Sequence, residues 1–149
     1  MNLANQAIST YSNYNFNSIV CFNGTYFGAT DTGIYPLSGD TDNGTYIDSS
    51  IKTGSMDFGD TTIKYARDVW ITFRSDGNLT LVIFVDEDTT TTIQKQTTIV
   101  SDTIIEERLK LPRGLKGRFY TVELNNLSGA DFDIDSLNLL VESVRRKVR

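Results

Sequence analysis

With no histidine among its 149 residues, this chain as an enzyme would have to work with carboxylates, lysines or tyrosines. The commonest general base, the Ser-His and Cys-His nucleophile systems and the usual zinc ligand pattern are gone at once. Asp131, Asp133 and Asp135 alternate, so in a strand they project from one face about 7 Å apart, two rises of roughly 3.3 Å each. Such a row could hold a cation or work as an acid/base set. The favoured reading is the solvent face of an edge strand, where charge blocks unwanted pairing. Asp40-Thr-Asp42-Asn-Gly44 also offers closely spaced oxygens to a hard cation. Counted from Asp40, its glycine falls at the fifth place and Ile51 at the twelfth, where an EF-hand loop wants glycine sixth and an acid twelfth. An Asx-type turn fits it better.

The basic loop Arg113-Gly-Leu-Lys116-Gly-Arg118 has neither the glycine spacing of a Walker loop nor that of a dinucleotide fingerprint. It reads as a turn that glycine permits between two strands. Charge is distributed unevenly around it. Residues 1–51 contain no Lys or Arg, whereas Arg108, Lys110, Arg113, Lys116 and Arg118 occur with no acid among them, and Arg145, Arg146, Lys147 and Arg149 close the sequence. A chain with an acidic part and a basic part can pair with copies of itself head to tail. The expected interface sets Arg113, Lys116 and Arg118 against Asp131, Asp133 and Asp135, or against the acidic tip 86–88, on a neighbouring copy. A net charge of −5 argues against a nucleic-acid binder. No catalytic set, cofactor site or metal site is read from the sequence, so the expectation is a non-enzyme. The alternative is a carbohydrate-binding sandwich, with Tyr11, Tyr14, Tyr26, Tyr35, Tyr46 and Trp70 as its aromatic platform.

Short apolar runs separated by Thr, Asn, Asp, Gly and Ser must position these residues, and that texture belongs to all-β domains. The predicted fold is an antiparallel β-sandwich, jelly-roll-like, over 18–149 as one domain, preceded by an extended N-terminal arm over 1–17. Asn23-Gly24 marks a type I′ hairpin turn between the strands 18–22 and 25–29. Pro36 belongs on an edge or at a bulge, because it cannot donate to a ladder. The strand 63–73 has apolar residues at 63 and 65, then at 69, 71 and 73, which predicts a bulge near 66–68. Residues 70–73 and 79–85 are expected to form the central hairpin, and 86–92 a hairpin tip or mobile loop. The stretch 109–137 reads as a closing hairpin with one charged rim. Residues 137–148 fit a helix by one count and a strand by another. The two-residue period set by Ala130, Phe132 and Ile134 favours the strand.

No run approaches the roughly 18 apolar residues of a membrane helix, and the first residues lack the basic and apolar regions of a secretory signal. Cys21 is the only cysteine, so no internal disulfide can form. Folding inside a cell fits both features.

Several stretches resemble a known class. They are Phe22-Asn-Gly-Thr-Tyr-Phe-Gly-Ala29, Gly33-Ile-Tyr-Pro-Leu-Ser-Gly-Asp-Thr-Asp42, Thr53-Gly-Ser-Met-Asp-Phe-Gly59, Leu115-Lys-Gly-Arg-Phe-Tyr120 and Gly129-Ala-Asp-Phe-Asp-Ile-Asp-Ser-Leu137. Together with the aromatic strand before Ser75-Asp-Gly77 and the terminal Arg145-Arg146, they resemble segments of structural proteins from tailed bacteriophages and prophages. The resemblance runs from about Asn13 to the end. It implies a β-rich virion protein of the tail or tail tip without a catalytic site, assembled in the host cytoplasm. Its implied partners are copies of itself and other tail proteins, with no nucleic acid and no membrane insertion. It carries no functional residues over, since turn glycines and strand positions make it up.

Overall fold

In the computed structural model, which describes residues 15–39, 41–42 and 44–144, every regular element is a β-strand. The chain divides into two compact units, Met1–Gly39 and Asp40–Arg149. Of the arm predicted over 1–17, residues 1–14 lie outside the described residues.

The first unit is a meander of β1 (Ser18–Phe22), β2 (Thr25–Thr30) and β3 (Gly33–Pro36), with β2 in the middle. Asn23 and Gly24 connect β1 to β2 with φ of 49° and 80°. Those two positive values are what a type I′ turn needs, and its twist matches that of the strands it joins. Pro36 ends β3, an edge strand among the described residues, which agrees with the edge reading. Gly28 in β2 lies beneath the ring of Phe16, and a Cβ there would come within 2.4 Å of that ring. Phe16 thus covers one face of the meander at a position of the middle strand that has no side chain of its own.

The second unit opens with a small hairpin of β4 (Thr41–Asp42) and β5 (Thr45–Tyr46). Its other strands are β6 (Ser50–Lys52), β7 (Lys64–Ser75), β8 (Leu79–Val85), β9 (Asp88–Gln96), β10 (Ser101–Lys110), β11 (Lys116–Gly117), β12 (Tyr120–Asn126) and β13 (Phe132–Ser143). They form two antiparallel sheets. One has the order β6-β12-β8-β9. In the other, β13 pairs with β7 along its whole length, while β10 and the short β11 follow one another along the opposite edge of β7. Val69, Ile71 and Phe73 of β7 and Leu109 of β10 meet Leu79, Leu81 and Ile83 of β8 and Tyr120, Val122 and Leu124 of β12. The predicted all-β antiparallel sandwich is therefore the fold. Strand β12 shows the two-residue period plainly, with Tyr120, Val122, Leu124 and Asn126 buried and the residues between them half-exposed.

Two expectations need correction. The strands 64–75 and 79–85 do not form a hairpin. β7 pairs with β10, β11 and β13, whereas β8 pairs with β12 and β9. The turn after Ser75 passes the chain from one sheet to the facing one. The Ser75 hydroxyl donates to the Gly77 carbonyl (2.7 Å) and takes up the Gly77 N–H (3.3 Å), which folds the chain back on itself there. The closing hairpin is also absent, since β12 and β13 lie in opposite sheets. Of the two readings of 86–92, the hairpin tip is the one observed, between β8 and β9. Asp86 and Glu87 make a two-residue turn with φ of 53° and 63°, and the Thr-rich run after it belongs to β9. A turn with two left-handed residues ordinarily uses Asn or Gly, so an Asp-Glu pair gives little sign of one.

Two bulges explain the irregular periods. β13 pairs Leu140 with Asp68 and Val141 with Ala66, which leaves Arg67 as the extra residue, inside the window predicted for a bulge. β13 pairs Ile134 with Phe73 and Ser136 with Thr72, so Asp135 is the second extra residue. That bulge lets Ile134 and Leu137 both pack against the core. Beyond it, in the stretch 137–148 that fitted both a helix and a strand, Leu137, Leu139 and Val141 pack against the core while Leu140 is exposed, which is the period of a strand. The favoured strand is observed as far as Ser143.

Candidate interaction surfaces

The basic loop begins where β10 ends. Pro112 and Arg113 start a turn closed by the Leu115 N–H on the Pro112 carbonyl (3.4 Å), and Gly114 takes φ of 89° within it. The chain then joins β7, with Lys116 opposite Tyr65 and Gly117 opposite Lys64. Gly117 is required for a different reason. A Cβ there would fall 2.2 Å from Val85 Cγ1, so the strand can approach β8 only without a side chain. Arg118 follows, and its N–H and that of Phe119 both donate to Asp86 Oδ1, at 2.6 and 2.9 Å. Lys64 is buried, and its ammonium donates to the carbonyls of Asp60, Thr62 and Arg118. The loop is thus held from both sides while Arg113, Lys116 and Arg118 stay exposed. Both glycines of the sequence reading serve the backbone, as expected of a turn.

The aspartates lie at the other end of β7. Asp131 precedes β13, and its carbonyl accepts from the Ser75 hydroxyl (3.1 Å) and the Asp76 N–H (3.2 Å), while its own N–H donates to Asp76 Oδ1 (2.8 Å). Asp133 stands opposite Arg74 and forms an ion pair with it. Asp135 occupies the bulge. All three are exposed, but only Asp133 is in regular register, so they do not form the evenly spaced row that strict alternation predicts. Asp76 and Asp102, which sequence reasoning did not single out, join Asp131 and Asp133 around an open cleft of about 410 Å³ floored by Ser75 and Phe132 and flanked by Arg74. The Ser-Asp-Gly turn was a signal for Asp76. For Asp102 there was none, because its neighbourhood depends on the pairing of Ser101 with Ser75.

From Tyr65, opposite Lys116, to Arg74, opposite Asp133, β7 advances nine residues, about 30 Å at the usual strand rise. One copy therefore cannot bring its basic loop to its own Asp131, Asp133 and Asp135. The acidic tip at Asp86 and Glu87 shares the basic end, and Asp86 already serves the loop of its own copy.

Between the two ends, the outer face of β10-β7-β13 is cross-linked by charge. Arg108 reaches Asp68 with two parallel hydrogen bonds, Nε to Oδ1 at 3.0 Å and an Nη to Oδ2 at 2.8 Å, and its guanidinium lies 5.6 Å from the centre of the Trp70 ring. The hydrogen bond from Arg108 holds the Asp68 carboxyl below its ordinary value, and Asp68 in turn raises Arg108. Arg67 pairs with Glu142 (2.9 Å) and lies over Tyr65. Trp70 is therefore covered by Arg108 rather than presented as a bare platform. Tyr26 and Tyr46 are exposed, and Tyr11 and Tyr14 lie outside the described residues, as do Asp40 and Asn43 of the calcium-like stretch. Among the described residues, no group of three or more His, Cys, Asp or Glu side chains is placed to hold a metal ion.

The surface that sequence reasoning missed is on the first unit. Across the ladder, Val20 stands opposite Phe27, which stands opposite Pro36, and Ser18, Ala29 and Ile34 align in the same way. With Phe22 and Thr25 these residues share one face, and Val20, Phe22 and Ile34 are all exposed. Set against protein-family models, curated proteins and solved structures, the chain matches none of them.

Proposed function

We propose that this chain is a non-enzymatic structural protein of the phage tail or tail-tip type, which works by associating with copies of itself and docking to neighbouring tail proteins. The observation that carries the reading is the placement of complementary charge at the two ends of one long strand. Arg113, Lys116 and Arg118 flank the start of β7, and Asp131, Asp133 and Asp135, with Asp76 and Asp102, flank its end. Unlike patches on opposite ends of a rigid body make heterologous contacts, which propagate into rings or filaments. The rigidity comes from the sandwich core between the two sheets. The resemblance of the sequence to tail proteins supports the same reading.

Reversing charge with Arg113→Glu and Lys116→Glu should reduce the mass of assemblies in light scattering, and added salt should do the same to the wild type, since exposed charges are screened. Assemblies that keep their mass in both experiments contradict the head-to-tail contact.

A further inference from the structure

We infer that the sheet β1-β2-β3 stacks face to face on the same sheet of a second copy, about a two-fold axis running along β2. This names a second contact within the self-association proposed above and rests on that reading.

The face in question carries Ser18, Val20 and Phe22 on β1, then Ala29, Phe27 and Thr25 opposite them on β2. Ile34 and Pro36 complete it on β3, opposite Ala29 and Phe27. It bears no charge. Val20, Phe22 and Ile34 are 59%, 73% and 73% exposed, which is unusual for three large apolar side chains on one small sheet. Three strands gain independent stability from a covered apolar face. Contiguous apolar surface beyond a few hundred Å² marks a contact site on a soluble protein.

The relief of the face selects the occupant. Its tall residues, Phe22 and Ile34, stand at diagonally opposite corners. The other two corners are low, with Ser18 at one and Ser38 and Gly39 following β3 at the other. A two-fold axis along β2 exchanges β1 with β3 and keeps each residue at its height along the strands. Ile34 then lies over Ser18 of the second copy, Phe22 lies over the low corner at Ser38, and Val20 lies over Pro36. Phe27 meets its own counterpart on the axis, where two rings can pair offset or edge to face. Off the axis, the two tall corners, Phe22 and Ile34, each fall on a low one, as an isologous contact demands. Two such sheets about 10 Å apart make a sandwich of the ordinary thickness. The apolar side chains leave on the order of 400 Å² open on each copy, given the 150–250 Å² that one aromatic residue can bury. With the polar rim added, the pair reaches about the 1,000 Å² that a specific interface clears. The area predicts a reversible dimer.

The test uses the full chain and four forms: wild type, Ile34→Ser, Ser18→Ile, and the two substitutions together. Sedimentation equilibrium measures the dimer constant, and circular dichroism checks that each form is folded. Ile34→Ser removes a tall residue and Ser18→Ile sets tall on tall, so each should weaken the dimer at least about tenfold. The double form restores tall on low and should return to within about threefold of the wild type. A double form no tighter than the weaker single, or single forms that associate like the wild type, would overturn the stacking. The charge-reversed form, Arg113→Glu with Lys116→Glu, separates the two contacts. Loss of mass there without a response to the Ser18 and Ile34 set removes the stacking and leaves the head-to-tail contact standing. The opposite pattern leaves the stacking standing, and a response to neither overturns both.

Discussion

Phe73 and Phe22 are aromatic residues in strands of similar texture, yet Phe73 is closed off completely between the two sheets of the second unit while Phe22 is largely open on the single sheet of the first. Apolar residues share the strand face of each: Val69 and Ile71 with Phe73, and Val20 with Phe22, the latter in an unbroken apolar run from Ile19. What differs is the partner layer. In the second unit β7 brings Val69, Ile71 and Phe73 down onto β8 and β12, and its polar neighbours close the ends. The Glu107 carboxylate, itself buried, accepts the N–H groups of Thr98 and Ile99 and the Thr98 hydroxyl, which fixes the crossing from β9 to β10. In the described part of the first unit, what adds to the ladder is Phe16 over Gly28, the Asn17 amide donating to Asp31 Oδ1 (2.6 Å) and the Thr30, Thr32 and Tyr35 hydroxyls. Apolar residues aligned on one strand face thus state that the face is to be covered and leave open whether this chain or another covers it.

The contrast can be broken by mutation. Phe73→Ala, in the closed core, should cost about 3–5 kcal/mol in urea unfolding; a cost near 1 kcal/mol would mean that the two sheets do not pack as described. Glu107→Ala should cost roughly 2–3 kcal/mol, because it leaves two N–H groups and a hydroxyl at the crossover without their acceptor. Tyr120→Phe removes the hydrogen bond from the buried Tyr120 hydroxyl to the Lys64 carbonyl (2.7 Å) and should cost about 1 kcal/mol. A smaller effect follows from Asp68, whose carboxyl the Arg108 hydrogen bond holds below its ordinary 3.8. The folded form then binds the proton more weakly than the unfolded chain, so the contribution of the pair is complete above about pH 5 and is lost as pH falls below about 4. Asp68→Asn should flatten the acid side of the stability curve by that amount, and an unchanged acid limb would show that the pair contributes nothing. At the low end, Phe22→Ala should leave the unfolding energy of the single copy within about 0.5 kcal/mol. A loss as large as that of Phe73→Ala would erase the distinction between the two units.

Much of this molecule is legible in its sequence, and what is not has a common cause. The Asn23-Gly24 turn, the edge position of Pro36, the bulge at Arg67 and the strand character of 137–143 all follow from local chemistry. The swap of sheets at Ser75 does not. Neighbouring apolar strands ordinarily pair, and the contacts that make β10 and β13 the partners of β7 come from residues far along the chain. The same limit applies to the surfaces. The basic loop and the aspartates were visible as charge runs. Their separation along β7, the cleft that adds Asp102 and the use of Asp86 to hold Arg118 all depend on pairings that alternation does not encode. The open face of the first unit was hidden because Val20, Phe27 and Ile34 look like core.

All of these contacts serve one claim, that the chain works by associating with itself. Sedimentation equilibrium of the intact protein, from low to high micromolar concentration, tests it most directly. The account predicts an average mass that rises with concentration above that of one chain. A mass that stays at one chain throughout would contradict it.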